Sequence, residues 1–201
     1  MSKSYSVVSL TILVIVTLAY NHIEAADKRC HKVPLLKNFD VDKVTGNWYG
    51  QEIGDMDGDE SSRRCLAYSA FTDKKKSNAT FTVIRLFNGT TTVGKAEMYQ
   101  VHQINDTSEF EGKWKNDVGK RSSWAIGTDY DTWSTWYLCQ PEQEDRGVLF
   151  ILTREKYPNA ATLEAARNSA RNAGFKMTKP YLKRVDHSHC FIEFSIVFVT
   201  I

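Results

Sequence analysis

The sequence predicts an all-β protein, eight antiparallel strands followed by one α-helix, and three observations predict it. Between Gly46 and Arg154, short runs rich in β-branched and aromatic residues recur at regular spacing, separated by polar turns. That spacing marks a β-sandwich or β-barrel rather than an α/β fold. Within it, Glu109-Phe110-Glu111-Gly112-Lys113-Trp114 alternates, setting Phe110, Gly112 and Trp114 on one face and the charged residues on the other. After Arg154 the composition turns to Ala, Leu, Glu and Arg from Ala160 to Ala173, all good helix formers. A strand wet on one side suits a barrel wall or one sheet of a sandwich equally. Eight strands joined by short hairpins would close into an up-and-down barrel wide enough for one small ligand.

Taken in order, residues 1–25 read as a secretory signal peptide. Lys3 supplies the positive start, Val7 to Tyr20 is apolar, and Ile23-Glu24-Ala25 ends on a small residue suited to cleavage. The apolar run is shorter than the ~20 residues a membrane-spanning helix needs. The main domain is then residues 26–190. Its first strand, 46–54, opens on Gly46-Asn47-Trp48-Tyr49-Gly50. Glycine lets a second backbone come close, and Trp48 can plug one end of a rolled-up sheet with its ring. The remaining strands read at 64–72, 79–87, 92–101, 108–115, 123–130, 133–140 and 147–154. Asn159 offers the helix a cap, and Gly174 with Phe175 offers a stop. Leu163, Ala166, Ala170 and Ala173 share one face, small enough to lie close against a sheet. Met177 to Cys190 reads as polar and extended. Residues 191–201 form an apolar tail, either a packed edge strand or a lipid-anchor signal; its shortness and Glu193 weigh against the anchor.

A chain of 201 residues with a net charge of +2 suits one domain and gives no reason to expect a nucleic-acid partner. Four cysteines, Cys30, Cys65, Cys139 and Cys190, are widely spaced and lack a C-x-x-C pair. In an exported chain they predict two disulfides rather than a zinc site, with three pairings open. Asn78, Asn88 and Asn105 head glycosylation sequons, each in or beside a turn. Asp55, Asp57 and Asp59 alternate as in a calcium loop, but Glu60 stands where Gly is needed and Leu66 where Glu is. An acidic rim loop is the better reading. His187-Ser188-His189-Cys190 has metal-like composition, yet Cys190 is wanted for a disulfide. Lys74-Lys75-Lys76 reads as a solvated hairpin tip, and His102 and Met98 as structural residues. No Ser/His/Asp grouping, paired carboxylates or phosphate loop stands out. No enzyme, catalytic residue or metal is therefore expected.

Three short motifs in order carry a resemblance: Gly46-Asn47-Trp48-Tyr49, Thr128-Asp129-Tyr130 near the turn between strands six and seven, and Arg154 ending strand eight. Ahead of a helix of fitting length, they make the chain resemble the lipocalin family over nearly all of residues 26–190. The run Thr128 to Cys139 is most similar to the apolipoprotein D and insecticyanin (bilin-binding) branch. That resemblance implies Cys30–Cys139 and Cys65–Cys190 disulfides, pinning both terminal segments to the barrel's outside. It also implies that Arg154 lies over the face of Trp48 and that Asp129 and Tyr130 order the closed-end turn, all as scaffold. Some family members are enzymes with a reactive lumen thiol; with all four cysteines paired, no thiolate remains for that chemistry.

If Cys65 and Cys139 face outward, period-two alternation sends Leu66, Tyr68, Ala70, Ser134, Trp136 and Leu138 inward. The parity of Arg154 adds Phe150 and Leu152, the alternation adds Phe110, and the family's strand-six aromatic adds Trp124. A lumen walled by Tyr68, Phe110, Trp124, Trp136 and Phe150 would bind a flat or elongated apolar molecule by burying its surface. The expected function is secreted carriage of a small hydrophobic ligand: a tetrapyrrole such as biliverdin, a sterol, a fatty acid or a carotenoid-like molecule. No cofactor is required. A surface-anchored or protein-binding module, with a membrane or receptor contact through the tail and sequons, is the alternative. Isomerase or antioxidant activity is a weaker one.

Overall fold

In the computed structural model the described residues are 30–54, 64–72, 80–87, 90–100, 108–114, 121–139, 147–177 and 182–190. The expected signal peptide 1–25, the sequon asparagines Asn78, Asn88 and Asn105, Asp55 to Glu60, Lys74 to Lys76, His102 and the tail 191–201 lie outside them.

All eight expected strands form: β1 (Gly46–Gly54), β2 (Ala67–Thr72), β3 (Thr80–Phe87), β4 (Thr90–Gln100), β5 (Glu109–Trp114), β6 (Arg121–Thr128), β7 (Trp133–Cys139) and β8 (Gly147–Thr153). Each pairs antiparallel with its successor in sequence, and β1 pairs with both β8 and β2. The sheet thus closes on itself, which decides for a barrel over a sandwich. The helix α1 (Ala160–Asn172) follows, capped where Asn159 Oδ1 accepts from Thr162 N at 2.9 Å. It stops at Gly174, whose φ of 90° is one glycine tolerates, while Phe175 N donates back to Ala170 O at 3.1 Å. A short strand, β9 (Leu182–Arg184), lies within the segment expected to be merely extended, and pairs with Glu52–Gly54 of β1.

The barrel wall has two faces. Outside, Ile126, Tyr137 and Leu149 pack under Ala170, Ala173 and Phe175 of the helical segment. Fully buried Ala166 and Ala170 let the helix approach closely, and Thr135 Oγ1 donates to Ala166 O across that seam at 3.0 Å. Beside it, Glu52 is buried to 5% exposure and receives both Nε and Nη2 of Arg167. That hydrogen bonding raises the Arg167 pKa, outweighing its partial burial. The disulfides join Cys30 to Cys139 and Cys65 to Cys190, the pairing the family resemblance implied.

Inside, two clusters meet at Trp136. One holds Phe39, Val44, Ala70, Met98, Phe110 and Ala125. The other holds Trp48, Ile53, Leu66, Tyr68, Phe150 and Leu152, with Leu138 and Val148 packed against it.

Candidate functional site: the barrel interior and its plugged end

One end of the barrel is shut by a polar lock over an aromatic plug. Gly46 sits at φ 96°, and a Cβ there would lie 3.0 Å from Arg154 Nη1. Both facts require glycine. Two residues on, Trp48 is 3% exposed and its Nε1 donates to Val44 O at 2.8 Å. The Arg154 guanidinium carbon stands 3.6 Å from the centre of the Trp48 ring, a cation–π contact. Its nitrogens reach outward to four carbonyls: Thr45 (2.8 Å), Asn47 (3.2 Å), Lys43 (3.0 Å) and Tyr130 (3.1 and 3.3 Å). Burial lowers the Arg154 pKa, against the opposing pull of Asp131 and Asp129.

The β6–β7 turn supports that lock. Asp129 Oδ1 accepts from Thr132 N at 2.8 Å and Trp133 N at 2.9 Å, and Oδ2 accepts from the Thr132 hydroxyl. Partial burial alone would raise the Asp129 pKa; these hydrogen bonds outweigh it and hold the carboxyl below the usual range. Tyr130 adopts φ 68°, held by Thr128 Oγ1, which accepts its N–H at 2.8 Å. The Tyr130 hydroxyl accepts from Asp40 N at 3.2 Å, tying the N-terminal arm across the same end.

Beneath the lock, Phe39, Phe110 and Trp136 form a triangle of rings with centroids 5.8–6.0 Å apart. Phe39 also touches Tyr130 at 6.0 Å. Phe110 therefore faces inward as expected, but it stands against the plug, fully buried. Sequence reasoning missed Phe39; it lies on an irregular arm, where no periodicity marks a core residue. Trp136 Nε1 donates to Ser134 Oγ at 2.7 Å, which fixes the indole.

Toward the far end, marked by Cys139 and Gly147, the walls are different. Tyr68 and Phe150 meet edge to face at 5.8 Å. Trp136, Leu138 and Val148 point inward in register with them yet remain half-buried. Ser123 lies on this inner face between Phe110 and Leu138, 1% exposed. Arg121 occupies the same face of β6 two residues nearer the far end.

Trp124 is a correction to the expected lining. It lies on the outer face, stacked on Tyr137 with ring centroids 5.6 Å apart and 22° between planes. The register explains why. Thr128 faces Ser134 and Gly127 faces Thr135, but beyond a bulge Ala125 faces Trp136 and Trp124 faces Tyr137. Continued without the bulge, the hairpin would set Trp124 opposite inward Leu138. The extra residue shifts the pairing by one and turns the indole out.

Of the two histidines of the C-terminal segment, His187 holds backbone. His187 Nε2 donates to Gly50 O at 2.7 Å, and Cys190 is in its disulfide. Among the described residues no group of three or more His, Cys, Asp or Glu is arranged to hold a metal.

No protein-family model matches the chain. Over 142 residues it is 25% identical to retinol-binding protein 4 of Gallus gallus, spanning 66% of this chain and 71% of that protein. Among solved structures, insecticyanin of the tobacco hornworm Manduca sexta superposes with a TM-score of 0.63 at 17% identity, over 80% of this chain and 87% of that one. The amine-binding protein of Rhodnius prolixus, solved with tryptamine, superposes with a TM-score of 0.61 at 16% identity, over 78% and 85%. Motif order, strand topology, disulfide pairing and these relatives agree on one assignment: the chain has the lipocalin fold.

Proposed function

We propose that the protein is an extracellular carrier that holds one small hydrophobic ligand inside the barrel. The observation that carries this reading is the contrast between the two halves of the interior. The plugged half is filled by interlocking rings, whereas Trp136, Leu138 and Val148 point inward and stay half-buried. Apolar side chains facing inward without full burial leave surface for a guest. A guest there gains about 25 cal/mol for each Å² of apolar surface removed from water. Tyr68, Phe150, Leu138 and Val148 form its walls and Trp136 its floor, with Phe110 beneath supporting Trp136. Of the relatives named above, one is named for retinol and another was solved with tryptamine, so the fold alone does not choose the cargo. A pigment such as biliverdin, a sterol, a fatty acid or a retinoid fits this lining.

Carriage outside the cell agrees with two disulfides and with the signal-like residues 1–25. Glycans at Asn78, Asn88 and Asn105 belong to the same reading. Mass spectrometry of the exported protein before and after glycan removal checks both, by its N-terminus and its mass. The carrier reading is tested by titrating biliverdin, retinol, cholesterol and palmitate against tryptophan fluorescence. Saturable one-to-one quenching by at least one is expected; no saturable binding across the panel overturns it.

A further inference from the structure

Both described inward indoles are matched within the protein: Trp136 Nε1 has Ser134 Oγ, and Trp48 Nε1 has Val44 O. Ser123 differs. Its Oγ is buried and makes no hydrogen bond, and the residue is 1% exposed. Its place on β6 is fixed from both sides, opposite Phe110 on β5 and Leu138 on β7. Its chain neighbours confirm the direction: Trp124 stacks outside on Tyr137, while Ala125 packs inside with Phe110 and Met98. The hydroxyl is therefore aimed into the interior, at the border between the ring-filled half and the half left for a guest.

A hydroxyl withdrawn from water and given no partner costs the folded protein stability, whereas a methyl group at the same place costs nothing of the kind. A guest that brings an oxygen to that point removes the penalty. Resting on the carrier reading above, we propose that Ser123 is the polar anchor of the ligand site. The cargo is then an apolar molecule bearing a hydroxyl or carbonyl oxygen, not a plain hydrocarbon. A serine hydroxyl both donates and accepts, so it pairs with either group. The apolar body of the ligand lies against Leu138, Val148, Phe150 and Tyr68, and its oxygen end stops at Ser123. Discrimination of this kind is strong because the site's own buried group goes unmatched when the wrong molecule enters.

The test uses the disulfide-bonded protein and Ser123→Ala with two probes: retinol, and the hydrocarbon of the same skeleton lacking the hydroxyl. Affinities are read by tryptophan quenching, and thermal unfolding is measured without ligand. Retinol is expected to bind the variant about tenfold more weakly, the scale of one neutral hydrogen bond. The hydrocarbon is expected to bind the variant as well as the original or better. The unliganded variant is expected to melt at the same or a higher temperature. Equal changes for both probes, or no change for retinol, overturn the anchor and leave the carrier reading standing. A lower melting temperature for the free variant also overturns it, since the hydroxyl would then have a structural partner. If neither probe binds the original protein while biliverdin, cholesterol or palmitate does, Ser123→Ala is compared with that ligand: a loss of about tenfold supports the anchor and an unchanged affinity overturns it; if nothing binds, both readings fall.

Discussion

Arg154 does two jobs at the plugged end that only its planar fork can combine. One face of the guanidinium rests on Trp48 while its edges donate to carbonyls on the N-terminal arm, on β1 and in the β6–β7 turn. A lysine keeps the charge but cannot stack and fork at once. Arg154→Lys is therefore expected to lose most of what Arg154→Met loses, about 2–3 kcal/mol, read as a lower urea midpoint. A lysine variant as stable as the original would show that charge alone sufficed. Gly46→Ala meets the same lock from the other side: a positive φ and a Cβ 3.0 Å from Arg154 Nη1. It is expected to cost about 1–2 kcal/mol in the same assay. These residues were legible because their motif is short and local. Phe39 was not, since its role depends on where an irregular arm crosses the barrel.

At the scale of elements, runs of β-branched and aromatic residues between polar turns located all eight strands within a few residues. Register was another matter. The bulge between Ala125 and Gly127 is invisible to a period-two pattern, yet it decides which way Trp124 points. β9 escaped because three residues are too few to show a period, and only Leu182 and, just beyond, Val185 are buried there. What holds that segment is partly His187, whose Nε2 donates to Gly50 O and whose ring meets Tyr49 edge to face at 5.8 Å. Its Nδ1 is buried without a hydrogen-bond partner. Burial lowers the His187 pKa, and Lys156 adds to this, against the Gly50 hydrogen bond and Asp186, which itself pairs with Arg64 at 3.7 Å. A histidine depressed in the folded state is protonated first in the unfolded chain. Its contribution to stability is full above the unfolded value near 6.5 and is lost as pH falls toward the folded one. The urea midpoint should therefore drop on acidification from about pH 7.5 to about pH 5.5. His187→Gln should flatten that part of the profile; an unchanged slope would exclude this histidine as its source.

Over the whole molecule, the two disulfides reach across 109 and 125 residues, each tying a terminal segment to the barrel. Closing loops of that length restricts the unfolded chain by up to about 4–5 kcal/mol each in the chain-entropy account. With closure by β1–β2 pairing and the external helix, this framework leaves the interior free to differ in composition from end to end. That division predicts opposite effects for two substitutions inside one barrel. Phe39→Ala removes a ring that touches Phe110, Tyr130 and Trp136. It is expected to cost about 3–5 kcal/mol of stability by opening a void in a packed layer. Val148→Trp places a large ring where the wall is only half-buried. It is expected to change stability by less than about 1–2 kcal/mol, because the site is not close-packed, while weakening the best probe of the ligand panel at least tenfold. Urea unfolding and fluorescence quenching on both variants separate the two effects. If Val148→Trp instead costs as much stability as Phe39→Ala while the folded variant binds the probe as before, the far half is core rather than a seat, and the guest must lie elsewhere.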